Sequence, residues 1–229
     1  MNELQQTKRV IIVGAGASIS EGIDLGLWDK INGNIIWSCN YAWLTMPYLP
    51  TRELFVDRSF FKNNTDKLND LANQGIEIVS KKNFITENLP KIVAYNTTRN
   101  IKDYNGKEGI KNDKIFTGQQ GFCGTFALHI AICEGYNEIF LLGFDFGIPK
   151  DSVINITHYY QSKINVISSG MGKPHIYKDR NGNIHQGVND YSVFAIEQNI
   201  KISNVSLISN IPFFDKISYS EFFEKINEI

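Results

Sequence analysis

RVIIVGAGASISEGI, residues 9–23, decides the fold. A continuous β-branched run that breaks into glycine is the pattern of a strand buried on both faces, as in a parallel sheet. Gly14 and Gly16 allow a tight turn out of that strand, and Ser18 stands where it can cap a following helix. Working outward, 34–40 (NIIWSCN), 54–56 (LFV), 76–80 (IEIVS), 91–96 (KIVAYN), 138–145 (EIFLLGFD) and 205–209 (VSLIS) read as further strands. Between them, 124–136 (GTFALHIAICEGY) carries apolar residues at three- and four-residue spacing, and Gly135 marks its end, so a helix is expected there. Strand, helix, strand in this order implies parallel pairing with right-handed crossovers. The expected fold class is therefore α/β, a Rossmann-like doubly wound, mostly parallel sheet.

The chain has 229 residues, enough for one substantial core and short for two, so a single domain is expected over 1–229. Lys and Arg number 23 against 24 Asp and Glu, a net charge of −1, which offers no broad electrostatic footprint for nucleic acid. The longest apolar runs fall far short of the roughly 20 residues a membrane span needs, and MNELQQTKR lacks the apolar region of a signal peptide. A soluble, cytoplasmic protein is the expectation, with homo-oligomerisation left open. Cys39, Cys123 and Cys133 form no CxxC pair, which argues against a disulfide framework and a zinc site. They read as small buried residues.

Residues 147–190 differ from the rest, being polar, dotted with aromatics and rich in Gly and Asn. A long irregular insertion in a compact domain reads as a functional lid. Three of the four histidines, His158, His175 and His185, lie in it. Histidine titrates near neutrality and serves naturally as a general base. The fourth, His129, sits within the apolar helix and reads as a packed residue rather than a catalyst.

In open parallel sheets, ligands sit at the carboxyl ends of the strands, and a Gly-rich turn entering a helix presents N–H groups to phosphate. The candidate ligand-binding residues are accordingly Gly14, Gly16 and Ser18 in the first turn, with Asn40 ending the second strand beside it. An Asn amide satisfies a base edge or a ribose hydroxyl with both donors and acceptors, or else caps a turn. Thr117 and Gly118 read as opening the long helix, where their N–H groups meet a phosphate or carboxylate, or simply cap it. Asp145 and Asp57 each end a strand and either hold ribose hydroxyls or a metal, or bond loop backbone. A full dinucleotide fingerprint is missing, because position 19 is Ile and no acidic residue ends the second strand, so dehydrogenase chemistry is not expected.

GAGASISEGI resembles the opening motif of the sirtuin-like NAD-consuming proteins, and TTRNIKD (97–103) loosely resembles their Gln-Asn-x-Asp stretch. Arg99 stands there in place of the Gln that handles nicotinamide, and no histidine follows between 104 and 128. A broader resemblance runs from about residue 9 to 210. WSCNYAW (37–43), LFVDRSFF (54–61) and IFTGQQGFCGTFALHIAICEGYNEIFLLGFDFG (115–147) are together similar to the bacterial lipooligosaccharide sialyltransferase family. They are also similar to its wider relatives of the 6-hydroxymethylpterin-diphosphokinase-like Rossmann group, which includes bacterial and phage proteins. The resemblance implies a Thr/Ser-Gly turn at Thr117 and Gly118, and a nucleotide contact from Asn40. It implies His185 as the base that deprotonates the acceptor hydroxyl, with Asp190 near the start of a helix. Lys114 corresponds to the family's arginine before the turn, keeping the charge but not the bidentate fork. Of the two tyrosines that stabilise the departing phosphate, the first is replaced by Gly147, and Tyr159 and Tyr160 substitute only if the loop folds back.

The function expected is transfer of a sugar, sialic acid among the candidates, from a nucleotide-activated donor to a glycan or other hydroxyl acceptor. A CMP-sugar is the favoured co-substrate, and no separate cofactor or metal is expected. No Asp-x-Asp signature is present, which fits a metal-independent transfer. The alternatives are diphosphate transfer of the pterin kinase type, with Mg²⁺ on Asp57 and Asp145, a sirtuin-like NAD hydrolase, and a non-catalytic binding protein on the same fold.

Overall fold

In the computed structural model, residues 6–82, 92–112, 114–119, 121–146, 159 and 186–228 are described. They build an eight-stranded sheet in the order β10-β9-β8-β1-β2-β3-β4-β5. The strands are β1 (Arg9–Val13), β2 (Ile36–Cys39), β3 (Arg52–Leu54), β4 (Glu77–Lys81), β5 (Ile92–Tyr95), β8 (Glu138–Leu142), β9 (Lys201–Asn204) and β10 (Asp215–Lys216). Every neighbouring pair in the sheet is parallel. A separate parallel pair, β6 (Thr97–Thr98) with β7 (Ile115–Phe116), lies between β5 and β8 in the chain.

The period of two explains why strands such as β1 and β8 are apolar at consecutive positions. Ile11, Val13, Ile36, Phe55, Ile78, Phe140 and Leu142 join one buried cluster, while Val10, Ile12, Trp37, Leu54, Val79, Ile139 and Leu141 join another. Alternate residues on one strand thus enter cores on opposite faces. The first core is closed by α1 (Ile19–Asp24), α2 (Leu27–Ile31), α3 (Arg58–Asn73) and α6 (Tyr219–Asn227), which contribute Ile19, Leu27, Leu68 and Phe222. The second is closed by α4 (Cys123–Cys133) and the segment after α5 (Gln186–Asn189), a 3₁₀ run over Asp190–Ile196. Helices on both faces of a parallel sheet make the fold doubly wound.

α4 is apolar on every side, and Thr125 through Ile132 are all buried, as expected of a helix held between a sheet and a covering segment. His129 belongs to that buried stretch. Its Nδ1 accepts from the Phe116 N–H at 2.7 Å and its Nε2 bonds the Gly106 carbonyl at 2.9 Å, so it is a core residue with a fixed tautomer. Burial pushes its pKa down to about 4.

Two strand expectations are corrected. The third strand is Arg52–Leu54 rather than 54–56, because Phe55 and Val56 already carry the chain toward α3. Residues 205–209 are not a strand; β9 ends at Asn204 and the chain turns, with Ser209 bonding the Phe144 carbonyl at 2.7 Å. Polar β9 (KISN) escapes an apolar-run reading because three of its four residues are buried without being mostly hydrophobic.

From β1 the chain steps outward through β2 to β5, then returns to β8 on the other side of β1. The strand order therefore reverses between β1 and β8, and the carboxyl edge at such a switch point is where doubly wound sheets hold ligands. No helix among the described residues is long and apolar enough to cross a membrane.

Candidate functional site

Gly14, Gly16 and Ser18 stand where the strand order reverses, and they wrap the chain's own carboxylate. The Gly14 N–H donates to the Leu142 carbonyl at 2.7 Å and the Gly16 N–H to that of Gly143 at 2.8 Å. This brings the turn so close to the end of β8 that a Cβ on Gly16 would stand 2.5 Å from the Asp145 carboxylate. Asp145 is buried and accepts from the Ser18 N–H at 2.8 Å and from its hydroxyl at 2.5 Å. Ser18 is itself helical and makes no side-chain cap for α1, so the capping expectation is corrected: its hydroxyl serves Asp145 instead.

The second Gly turn repeats the arrangement. α4 starts at Cys123, so Thr117 and Gly118 do not open it; they form a turn ahead of it. The Thr117 N–H is taken by the Thr98 carbonyl at 3.0 Å. The N–H of Gln119 donates to the buried carboxylate of Asp190 at 2.8 Å, and a Cβ on Gly118 would lie 2.5 Å from that carboxylate. Asp190 therefore reaches the turn from the far end of the sequence, 71 residues on.

Asp57 is the N-cap of α3. Its carboxylate accepts from the Ser59 and Phe60 N–H groups at 2.6 and 3.2 Å and from the Ser59 hydroxyl at 2.6 Å. Partial burial pushes its pKa up, but these bonds outweigh it and hold the carboxyl below its ordinary value. As Mg²⁺ ligands Asp57 and Asp145 fit poorly, since each is engaged by N–H and O–H donors, and no three His, Cys, Asp or Glu converge among the described residues.

Of the residues expected to do chemistry, Tyr159 is described. Its N–H donates to the Ala15 carbonyl at 3.0 Å, so this part of the insertion does come back to the first Gly turn. Its hydroxyl is buried, 2.5 Å from that of Thr45 and 3.1 Å from the Ala42 carbonyl, and burial pushes its pKa up to about 12. Lys114 is exposed and precedes β7, while Thr117 follows that strand, so the two flank opposite ends of it. His185, Tyr160, His158, His175 and Gly147 lie outside the described residues.

Asn40 follows β2 with φ of 56°, a left-handed backbone that is uncommon for a residue with a side chain. Its Oδ1 is buried without a hydrogen-bond partner. Two residues not anticipated from the sequence share that condition nearby. Glu53, fully buried in β3, bonds the Ser38 hydroxyl with one oxygen and leaves Oε1 without a partner. Burial holds this carboxyl well above the usual carboxylate range. Tyr191 is fully buried, its hydroxyl also lacks a partner, and a Cβ on Gly124 would stand 2.8 Å from that oxygen. Gly124 is in the first turn of α4, whose start carries no side-chain cap. The Cys123 thiol donates to the Leu54 carbonyl at 3.1 Å, tying the first residue of α4 to the last of β3. Buried polar atoms without partners are few in native proteins and call for an explanation, a ligand or ordered water among them. The signals in the sequence were slight: an acid inside a strand, and a Tyr beside an Asp.

These features define a doubly wound α/β protein with polar groups gathered at the carboxyl edge of β2 and β3 and the start of α4. No family model matches the chain, and no curated protein matches it at a significant level.

Proposed function

We propose that the protein binds a nucleotide at the carboxyl edge of its sheet and transfers a sugar from a nucleotide-activated donor to an acceptor hydroxyl. The observation that carries this reading is the group of buried, partnerless polar atoms on Asn40, Glu53 and Tyr191 around the uncapped start of α4. A carboxamide oxygen, a buried carboxyl and a phenol offer the mixed donors and acceptors that a base edge and a ribose require. The left-handed strain at Asn40 supports the same reading, since such strain collects at ligand sites.

In the transfer, His185 takes the proton of the acceptor hydroxyl while that oxygen attacks the anomeric carbon from the face opposite the donor phosphate. The carbon–oxygen bond to phosphate breaks with its electron pair on the nucleotide, and the sugar is inverted. A CMP-sugar is the donor we favour, with Tyr159 and Tyr160 of the insertion and Lys114 as the groups that balance phosphate charge. Tyr159 can serve only by exchanging its bonds to Thr45 and Ala42 for one to phosphate.

A second reading, a binding protein without catalysis, is favoured by one specific observation. The Ser18 and Gln119 N–H groups, one in each Gly turn, are already matched by Asp145 and Asp190, and those of Gly14, Gly16 and Thr117 by backbone carbonyls. A thermal-shift panel of CMP, CDP, UDP, GDP, ATP and NAD on the wild type and Asn40→Gly tests both readings. Glycine keeps the left-handed backbone while removing the carboxamide. A nucleotide at about a hundred times its dissociation constant adds about 2.7 kcal/mol, and this gain should shrink in the variant. Binding without donor hydrolysis or transfer would support the second reading; no shift with any nucleotide would overturn the first.

A further inference from the structure

Between β9 and β10 the sheet comes apart at one end. The two strands pair at Ser203 with Asp215 and at Asn204 with Lys216. Carried backwards, that register would set Phe213 and Phe214 opposite Lys201 and Ile202, but the chain bends at both phenylalanines and the pairing stops. A cleft of about 480 Å³ opens where the two chains part. Buried Phe194 and Ile202, half-buried Ile200 and Phe213, and Phe214 form its apolar walls. That volume falls within the roughly 300–1,000 Å³ of small-molecule sites, which combine apolar and aromatic walls with a few polar groups. The cleft lies at the starts of β9 and β10, at the amino edge of the sheet, whereas the nucleotide is assigned to the carboxyl edge.

The charges around the cleft select the ligand. Glu197 lines it, and its Oε1 accepts the Tyr104 hydroxyl, which leaves the second oxygen for another donor. Asp215 adds a second carboxylate and is exposed. Lys201, the one cation of the lining, has its ammonium 3.9 Å from Glu138, its register partner on β8, which flanks β9 on the side away from β10. The cleft thus presents carboxylates beside aromatic rings, whose faces are themselves negative. A protonated amine is attracted by both, while an anion of the same shape meets like charge.

We propose that this cleft binds a small aromatic amine, one or two rings carrying an ammonium group. The ring occupies the wedge between Phe194, Ile202 and Phe213, and the ammonium meets Glu197. The site is built from other residues than the nucleotide site and stands at the opposite edge, so it does not rest on that reading.

The test is titration calorimetry of the full chain with tryptamine, indole and indole-3-acetate, which share a ring system and differ in charge. Wild type should bind tryptamine more tightly than indole-3-acetate by about tenfold or more, the value of a charged hydrogen bond and a cation over a ring. Glu197→Gln should lose that preference and keep its affinity for indole, whereas Phe213→Ala should weaken tryptamine and indole alike. Both variants should fold, since Gln keeps an oxygen for the Tyr104 hydroxyl and Phe213 is half-buried. No binding of tryptamine by the wild type, equal binding of tryptamine and indole-3-acetate, or wild-type affinities in both variants would each overturn the proposal. The response to CMP should be the same in all three proteins, so these outcomes leave the nucleotide reading untouched.

Discussion

The carboxylate of Asp145 accepts both the backbone N–H and the hydroxyl of Ser18, a residue 127 positions earlier, and thereby locks the first Gly turn onto the end of β8. The anion that the turn holds is part of the protein. Removing either partner should therefore register as lost stability. Bonds to a charged group contribute about 1.5–3 kcal/mol each, and a buried donor left alone is costly. Ser18→Ala should lower the unfolding free energy by about 1–2 kcal/mol and Asp145→Ala by about 3 kcal/mol in urea titrations. Equal and negligible effects would show that the latch is not formed in solution.

Gly118 and Gly135 have nearly the same left-handed backbone, φ of 76° and 80°, yet different surroundings. Around Gly135 a methyl would meet nothing within 4 Å, whereas at Gly118 it would strike the Asp190 carboxylate. Gly135→Ala should cost about 1–2 kcal/mol, the strain of a left-handed residue alone. Gly118→Ala should cost about 1–3 kcal/mol more through overpacking. Melting curves of the two variants compare them directly, and Asp190→Ala in the Gly118→Ala background should recover part of the extra loss.

The pH dependence of stability should carry the mark of His129. The ring is held neutral down to about 4 in the folded chain, against 6.5 when unfolded. Between those values the unfolded chain binds a proton that the folded one does not, so stability falls as pH drops from about 6.5 and levels off below about 4. A shift of this size corresponds to about 3 kcal/mol at full effect. Urea midpoints across this range for wild type and His129→Gln should diverge, the variant being less stable at pH 7 and flatter toward acid.

Asp57 should behave as a helix cap. Asp57→Ala removes the acceptor for the Ser59 and Phe60 N–H groups and should cost about 1 kcal/mol. Asp57→Ser, which keeps a capping oxygen, should restore most of that. Because its carboxyl titrates below the ordinary value when folded, its contribution is full above the unfolded pKa and is lost on acidification. A large loss of nucleotide affinity in Asp57→Ser would instead mark it as a ligand contact.

The parts of the fold legible in the sequence were those with a local cause. RVIIV and EIFLL announce buried parallel strands by being apolar at consecutive positions, and α4 is announced by apolar residues at three- and four-residue spacing with Gly135 at its end. The glycines of the first turn were recognisable as well, though not what they face. Two strand limits were misplaced because β3 and β9 carry polar residues inward, Glu53 and Asn204, and no local pattern reveals that a polar side chain will be buried.

Sequence by itself thus determined a doubly wound α/β protein with a tight Gly turn at the end of its first strand, since strand order and apolar periodicity act over short stretches. Tertiary structure alone decided that Asp145 and Asp190 fill the two Gly turns and that Asn40, Glu53 and Tyr191 converge at the start of α4. Those pairings join residues far apart in the chain. They exist only because a parallel sheet brings the carboxyl ends of its strands to one edge.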